Sequence, residues 1–132
     1  MSTQSIIEII TEWDIVTARQ VGRNEAKAIG FDTVNQARIT TAISDLARNI
    51  YLYAKAGVIQ IERLQQENKI GIAITAIDRG PGIGDVRRVL EEGFSTSGGL
   101  GAGLPGVKRL MDHLEIDSVV GQGTKVRIEK WL

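Results

Sequence analysis

Residues 79–106 hold nine of the chain's fifteen glycines and both of its prolines. A packed helix or strand hardly tolerates that density, because glycine loses the most chain entropy on ordering and proline removes a backbone donor. The stretch therefore reads as a loop-rich segment lying between two parts with regular patterning. Before it, Ile6-Ile7-Glu8-Ile9-Ile10 is short and β-branched, as in a strand. Thr11 or Asp14 is placed to cap a following helix that Gly30 stops. From Asp32 to about Ala56, apolar residues recur at Ile39, Ile43, Leu46 and Ile50, a three-and-four spacing that lines one helix face, and Gly57 ends it. Residues 58–61 and 70–77 have strand composition, and the polar run Gln65-Gln66-Glu67-Asn68-Lys69 between them suits a hairpin. A short helix is expected to start at Asp85 and another to run from about Gly103 to Asp112, ahead of strands at 114–120 and 125–131. This order predicts an α+β chain, a two-layer sandwich forming a single domain over residues 1–132.

Charge and composition narrow the class. Sixteen basic and sixteen acidic residues cancel, so no summed field favours nucleic acid or an anionic membrane surface. The chain has no cysteine, which excludes disulfide staples and thiolate metal sites. The first residues lack a basic segment followed by an apolar run, and the longest apolar stretch, 72–77, is too short to cross a bilayer. A cytoplasmic protein with neither nucleic-acid nor membrane partners is expected.

Three clusters have the makings of a site. Asp45 and Asn49 lie four apart on the long helix, so both project from one face beside the apolar stripe. A carboxylate that orients a hydroxyl and an amide oxygen that coordinates Mg²⁺ suit phosphoryl transfer, although the same pair also occurs as an ordinary polar helix flank. Asp78 ends an apolar strand and leads into Arg79-Gly80-Pro81-Gly82, where a strand-end carboxylate sits beside backbone that a ligand can approach. Such a carboxylate can read an adenine amino group; equally, the sequence is favoured turn chemistry without a ligand. The run Gly98-Gly99-Leu100-Gly101-Ala102-Gly103-Leu104-Pro105-Gly106 enters a helical pattern and presents backbone amides at a helix start, a geometry that attracts phosphate; a merely flexible loop is the other reading. Gly101, Gly103 and Gly106 spell G-x-G-x-x-G, but no strand immediately precedes them, and the chain contains no Walker A motif. The lone His113 reads as a helix-end or surface residue, and Ser95-Thr96-Ser97 as solubilising hydroxyls of the loop.

In order, Asp45-x-x-x-Asn49, Asp78-x-Gly80-x-Gly82, Gly99-x-Gly101-x-Gly103 and Gly123-Thr124 resemble the N, G1, G2 and terminal threonine motifs of the GHKL ATPases. Residues 11–16, 36–43 and 93–112 look, within that superfamily, like the switch-protein serine/threonine kinases of the stressosome. The resemblance covers nearly the whole chain. It implies a Bergerat fold: a mixed sheet covered by helices on one face, with ATP held between sheet, helices and a lid. It also implies that Asn49 binds Mg²⁺, that Asp78 accepts from the adenine amino group, and that Gly80 and Gly82 let the base approach. Thr124 would support the base through water, and Gly99, Leu100, Gly101, Ala102, Gly103 and Leu104 would surround the phosphates. Asp45 stands where the family usually has glutamate, the residue that orients the acceptor hydroxyl.

By the same resemblance the chain transfers the γ-phosphate of Mg-ATP to STAS-domain scaffold and antagonist proteins of the stressosome, then activates a downstream output protein such as a phosphatase. The alternative is a nucleotide-dependent anti-sigma-type binding module with little phosphotransfer. The catalytic domain of a histidine kinase is a third reading; it needs a dimerisation helix with an acceptor histidine, which is not expected ahead of Met1.

Overall fold

The computed structural model describes residues 4–82 and 103–132. Strand β1 (Gln4–Ile9) leads into helix α1 (Glu12–Ile29), and helix α2 (Thr33–Asn49) follows after a short connection. A π-helical turn (Ile50–Ala54) prolongs α2, and strands β2 (Gly57–Gln66) and β3 (Lys69–Asp78) form a hairpin. Helix α3 (Gly103–Leu110) and strands β4 (His113–Val119) and β5 (Gly123–Trp131) complete the described chain.

Local chemistry fixes the helix ends. The Asp14 carboxylate accepts the backbone amides of Ile10 at 2.9 Å and Thr11 at 2.7 Å, so it satisfies donors left open at the start of α1. Gly30 closes that helix in the left-handed region at φ 118°. Asp32 caps α2 by accepting from the Asn35 amide at 2.8 Å. At the far end of α2 the expectation of a regular helix to Ala56 is corrected. The α-helix stops at Asn49, the π-helical turn follows, and Lys55 takes φ 68° before β2 begins.

The five described strands form one sheet in the order β1-β2-β3-β5-β4. Every one of these pairings is antiparallel, which corrects the mixed sheet that the resemblance implied. The reason lies in the connections. A single crossover helix returns a chain parallel to its first strand, whereas two helices between β1 and β2 reverse it once more. Gln65 and Gln66, which composition places in the hairpin connection, belong to β2 instead, and the strand runs to a tight turn with Glu67 at φ 54°.

The register sorts the strand residues into two faces. Ile7, Ile9, Ile59, Ile61, Ile72, Ile74, Val126 and Ile128 share the face that α1 and α2 cover, and they pack with Ile15, Ala18, Ile39, Ile43, Leu46 and Val107 into one buried core. Burying such a side chain contributes about 1.5–3 kcal/mol each. Lys130 ties α3 to this sheet, its Nζ donating to the Leu110 carbonyl at 3.0 Å, where the helix C-terminus favours a cation. On the opposite face, Arg127 donates to Glu62 at 2.8 Å and to Glu129 at 3.2 Å.

Candidate functional site

Asp45 and Asn49 occupy one face of the last two turns of α2. Asp45 is only 3% exposed, and neither carboxylate oxygen has a hydrogen-bond partner among the described residues. Burial pushes its pKa up to about 6, with nearby Arg48 pulling weakly the other way. A buried carboxylate without donors is costly to the fold, and such groups concentrate where a ligand or reaction needs them. Asn49, half-buried, stands at the point where the α-helix gives way to the π-helical turn. Short π segments recur at functional sites.

At the end of β3, Asp78 Oδ1 accepts the Gly80 amide at 2.9 Å, which folds the chain into a tight turn. Gly80 lies so close to the π-helical turn that an added Cβ would stand 2.7 Å from the Ala54 Cβ. Gly82 takes φ 77°, and a Cβ there would run into the Val119 carbonyl; beside it, Gly121 donates its amide to the Pro81 carbonyl at 2.8 Å. The turn after β3 is thus wedged between the end of α2 and the β4–β5 hairpin, with glycine required at both contacts.

Thr124 is the register partner of Asp78 on β5, and Ser118 is the partner of Thr124 on β4. Gly57 faces Asp78 from β2; a Cβ at position 57 would lie 2.5 Å from the Ile77 carbonyl and 3.1 Å from the Asp78 Cβ. Ser118 Oγ donates to the Gly123 carbonyl at 3.1 Å and lies 2.9 Å from Thr124 Oγ1. Sequence reasoning found Asp78 and Thr124 but missed Gly57 and Ser118. The signal for Ser118 was available: it follows Leu114 and Ile116 in strand alternation, a hydroxyl on an otherwise apolar face.

The structure therefore brings Asp78, Gly80, Gly82 and Thr124 to one end of the sheet and sets the end of α2 against them through Ala54. Gly103 and Leu104 form the start of α3, where Gly103 has φ 68° and Leu104 is buried. Gly99, Leu100, Gly101 and Ala102, and the helix expected at Asp85, lie outside the described residues. No group of three or more metal-ligating side chains of the histidine, cysteine or carboxylate type occurs among the described residues. No described helix is long and apolar enough to cross a membrane.

Comparison with known proteins fits this arrangement. Residues 34–132 match the family described as histidine kinase-, DNA gyrase B-, and HSP90-like ATPase. The chain is 64% identical over 132 residues to the serine/threonine-protein kinase RsbT of Bacillus subtilis, covering 100% of this chain and 99% of that one. It is 36% identical over 102 residues to an anti-sigma F factor of Caldanaerobacter subterraneus, covering 73% of this chain and 70% of the relative. Among solved structures, the RsbU and RsbW domains of Rv1364c from Mycobacterium tuberculosis share the fold at a TM-score of 0.68 and 19% identity, over 98% of this chain and 32% of that chain. The mycobacterial sensor histidine kinase MprB does so at a TM-score of 0.58 and 15% identity, over 98% of this chain and 97% of that one.

Proposed function

We propose that this chain, which belongs to the histidine kinase-, DNA gyrase B- and HSP90-like ATPase family, passes the γ-phosphoryl group of Mg-ATP to a serine or threonine of a STAS-domain partner. It is an ATP-dependent protein serine/threonine kinase, like its 64% identical relative. The observation that carries the finer reading is the Asp45 carboxylate, buried and with two unpartnered oxygens, on the helix face that also bears Asn49.

The residues present fit the nucleotide. Asp78 keeps acceptor capacity beyond its bond to the Gly80 amide, which suits the adenine amino group, and Thr124 flanks it in register. Gly80 and Gly82 let the turn that follows Asp78 pack onto Ala54 and the Val119 carbonyl, where any side chain would collide, and so hold Asp78 in place for the base. Asn49 offers an amide oxygen to Mg²⁺. The phosphates are assigned, on the motif that Gly99, Leu100, Gly101, Ala102, Gly103 and Leu104 spell in the sequence, to backbone amides of that run. Mg-ATP supplies the phosphoryl group and the charge neutralisation that such transfers require.

Asp45 then acts on the partner. Its carboxylate accepts the hydrogen of the incoming hydroxyl, orients the oxygen for in-line attack and takes up the proton. A pKa near 6 leaves the group largely ionised at neutral pH while making it a better base than an exposed aspartate. Phosphorylation of stressosome scaffold and antagonist proteins in the cytoplasm, followed by release and activation of an output protein, completes the proposed role.

The similarity to anti-sigma F factors favours a second reading, a nucleotide-dependent binding module with little transfer of its own. Labelled ATP and a purified STAS partner separate the two. Label moving to the partner is the expected result; stable binding without label would leave only the module.

A further inference from the structure

We propose that the groove between α2 and the end of α3 is where the acceptor protein docks, through an amphipathic helix with apolar side chains facing the groove and an acidic side chain that pairs with Arg38. The inference rests on the phosphotransfer reading and adds to it the surface that recognises the protein substrate.

Thr33, Val34, Ala37, Arg38 and Thr41 of α2 and Leu110 of α3 line an open groove of about 430 Å³. Val34 is 57% exposed and Leu110 half-buried, so apolar surface is left for a partner side chain to cover. Ala37, one turn after Val34, carries no bulk that would keep a second helix from lying along α2.

The place of the groove along α2 identifies its occupant. Val34, Arg38, Thr41, Asp45 and Asn49 succeed one another at steps of four, three, four and four, so they form one stripe of the helix. Thr41 stands about 6 Å before Asp45 along the axis and Val34 about 16 Å, at about 1.5 Å per residue. A partner helix of about three turns seated in the groove therefore runs toward the buried carboxylate assigned to the acceptor hydroxyl. A protein that must bring a hydroxyl to Asp45 gains from such a track.

Charge sets the sign of the partner. In a chain whose sixteen basic and sixteen acidic residues cancel, α2 and α3 bear Arg38, Arg48, Lys108 and Arg109, and the one acid within them, Asp45, is buried. Asp32 and Asp112, next to these helices in sequence, are engaged. Asp32 accepts the Asn35 amide; Asp112 accepts the Trp131 amide at 2.7 Å and lies 3.8 Å from Lys130 Nζ. Arg38 is exposed in the groove, donates to Asn35 Oδ1 at 3.3 Å and meets no carboxylate among the described residues. A groove of this sign draws an acidic segment and repels a basic one.

The test is steady-state transfer of label from Mg-ATP to a purified STAS acceptor by the full chain, with Mg-ADP titrated in parallel. Arg38→Glu is expected to raise the KM for the acceptor about tenfold or more, while kcat at saturating acceptor and the Kd of Mg-ADP stay within about twofold of wild type. Arg38→Gln, which only removes the charge, should give a smaller rise in the same KM. Ala37→Trp fills the groove without altering charge and should raise it too. Added salt should raise the wild-type KM more steeply than that of Arg38→Glu. Among single acid-to-lysine changes on the acceptor, one should restore transfer by Arg38→Glu and impair transfer by wild type.

An acceptor KM within about twofold of wild type in both Arg38→Glu and Ala37→Trp overturns the proposal. So does a loss shared equally by kcat, Mg-ADP affinity and Tm, which marks damage to α2 in place of lost docking. If the variants keep the acceptor KM but change the sedimentation of the chain alone, a second copy covers the groove and the proposal falls. The two levels stay distinguishable. Undiminished labelling by both variants removes the docking site and leaves the phosphotransfer reading standing, whereas a wild type that labels no STAS acceptor sinks both.

Discussion

Asp78 and Thr124 are paired across β3 and β5, so a carboxylate and a hydroxyl that lie 46 positions apart in the sequence share one spot at the end of the sheet. Asp78 also shapes its own turn by accepting the Gly80 amide at 2.9 Å. Asp78→Asn preserves that acceptor oxygen and hence the turn, while replacing acceptor capacity toward the base with an NH₂. Calorimetry is expected to show ATP affinity reduced at least 100-fold with Tm little changed. Wild-type affinity would remove Asp78 from the base site.

Asp45→Ala should separate binding from chemistry. ADP affinity is expected to stay within about threefold of wild type, while label transfer to a STAS partner falls about 10²- to 10⁴-fold. Undiminished transfer would strip Asp45 of its role.

The raised pKa of Asp45 has a signed consequence for stability. An aspartate whose folded pKa lies near 6, above its ordinary 3.8, favours the fold fully only below that ordinary value, and the contribution is lost as pH rises through about 6. Asp45→Asn is therefore expected to match wild type near pH 4 and to exceed it above pH 7 by on the order of 2 kcal/mol. Urea denaturation from pH 4 to 8 measures this, and parallel curves for the two proteins would contradict it.

Activity should run against stability over the same range. Transfer in wild type is expected to climb between pH 5 and 7 as the carboxylate form fills, whereas Asp45→Glu, placing the charge one methylene further out, should shift the midpoint. Initial rates at saturating nucleotide read it directly; a flat profile through pH 6 would argue that another group limits the reaction.

Gly57 lacks room for any side chain: a Cβ would stand 2.5 Å from the Ile77 carbonyl, 2.8 Å from Ile50 Cγ2 and 3.1 Å from the Asp78 Cβ. Gly57→Ala is expected to destabilise the fold by about 1–3 kcal/mol. Because the displaced strand carries Asp78, ATP affinity should drop about tenfold or more at temperatures where the variant is fully folded. Thermal melts combined with titrations test both halves, and a variant with unaltered affinity would show that β3 absorbs the shift.

Helix starts and the apolar stripe could be read from the chain because they depend on local chemistry. Thr11, Asp14, Gly30 and Asp32 act within one turn of where they stand. The far half of β2 could not be read this way, since four of residues 62–66 are polar and the stretch becomes strand through pairing with β3. The π-helical turn was hidden for a similar reason. Ile50 to Ala54 has ordinary helical composition, and what distinguishes it is Ile50 buried in the core and Ala54 pressed on Gly80. At the site, Asp45, Asn49 and Asp78 stood out by spacing and by position at element ends. Gly57 did not, because only the cross-strand register joins it to Asp78, and the hydroxyl of Ser118, although legible in the alternation of β4, gains its place beside Thr124 only through that register.

The contact between Ala54 and Gly80 joins the last turn after the Asn49 helix to the turn formed by Asp78. Neither position can enlarge without pushing on the other, so related chains should inherit the two as a linked pair, small with small. Selection on the turn that Asp78 forms then also constrains how the Asn49 helix ends, although no side chain need reach from one to the other.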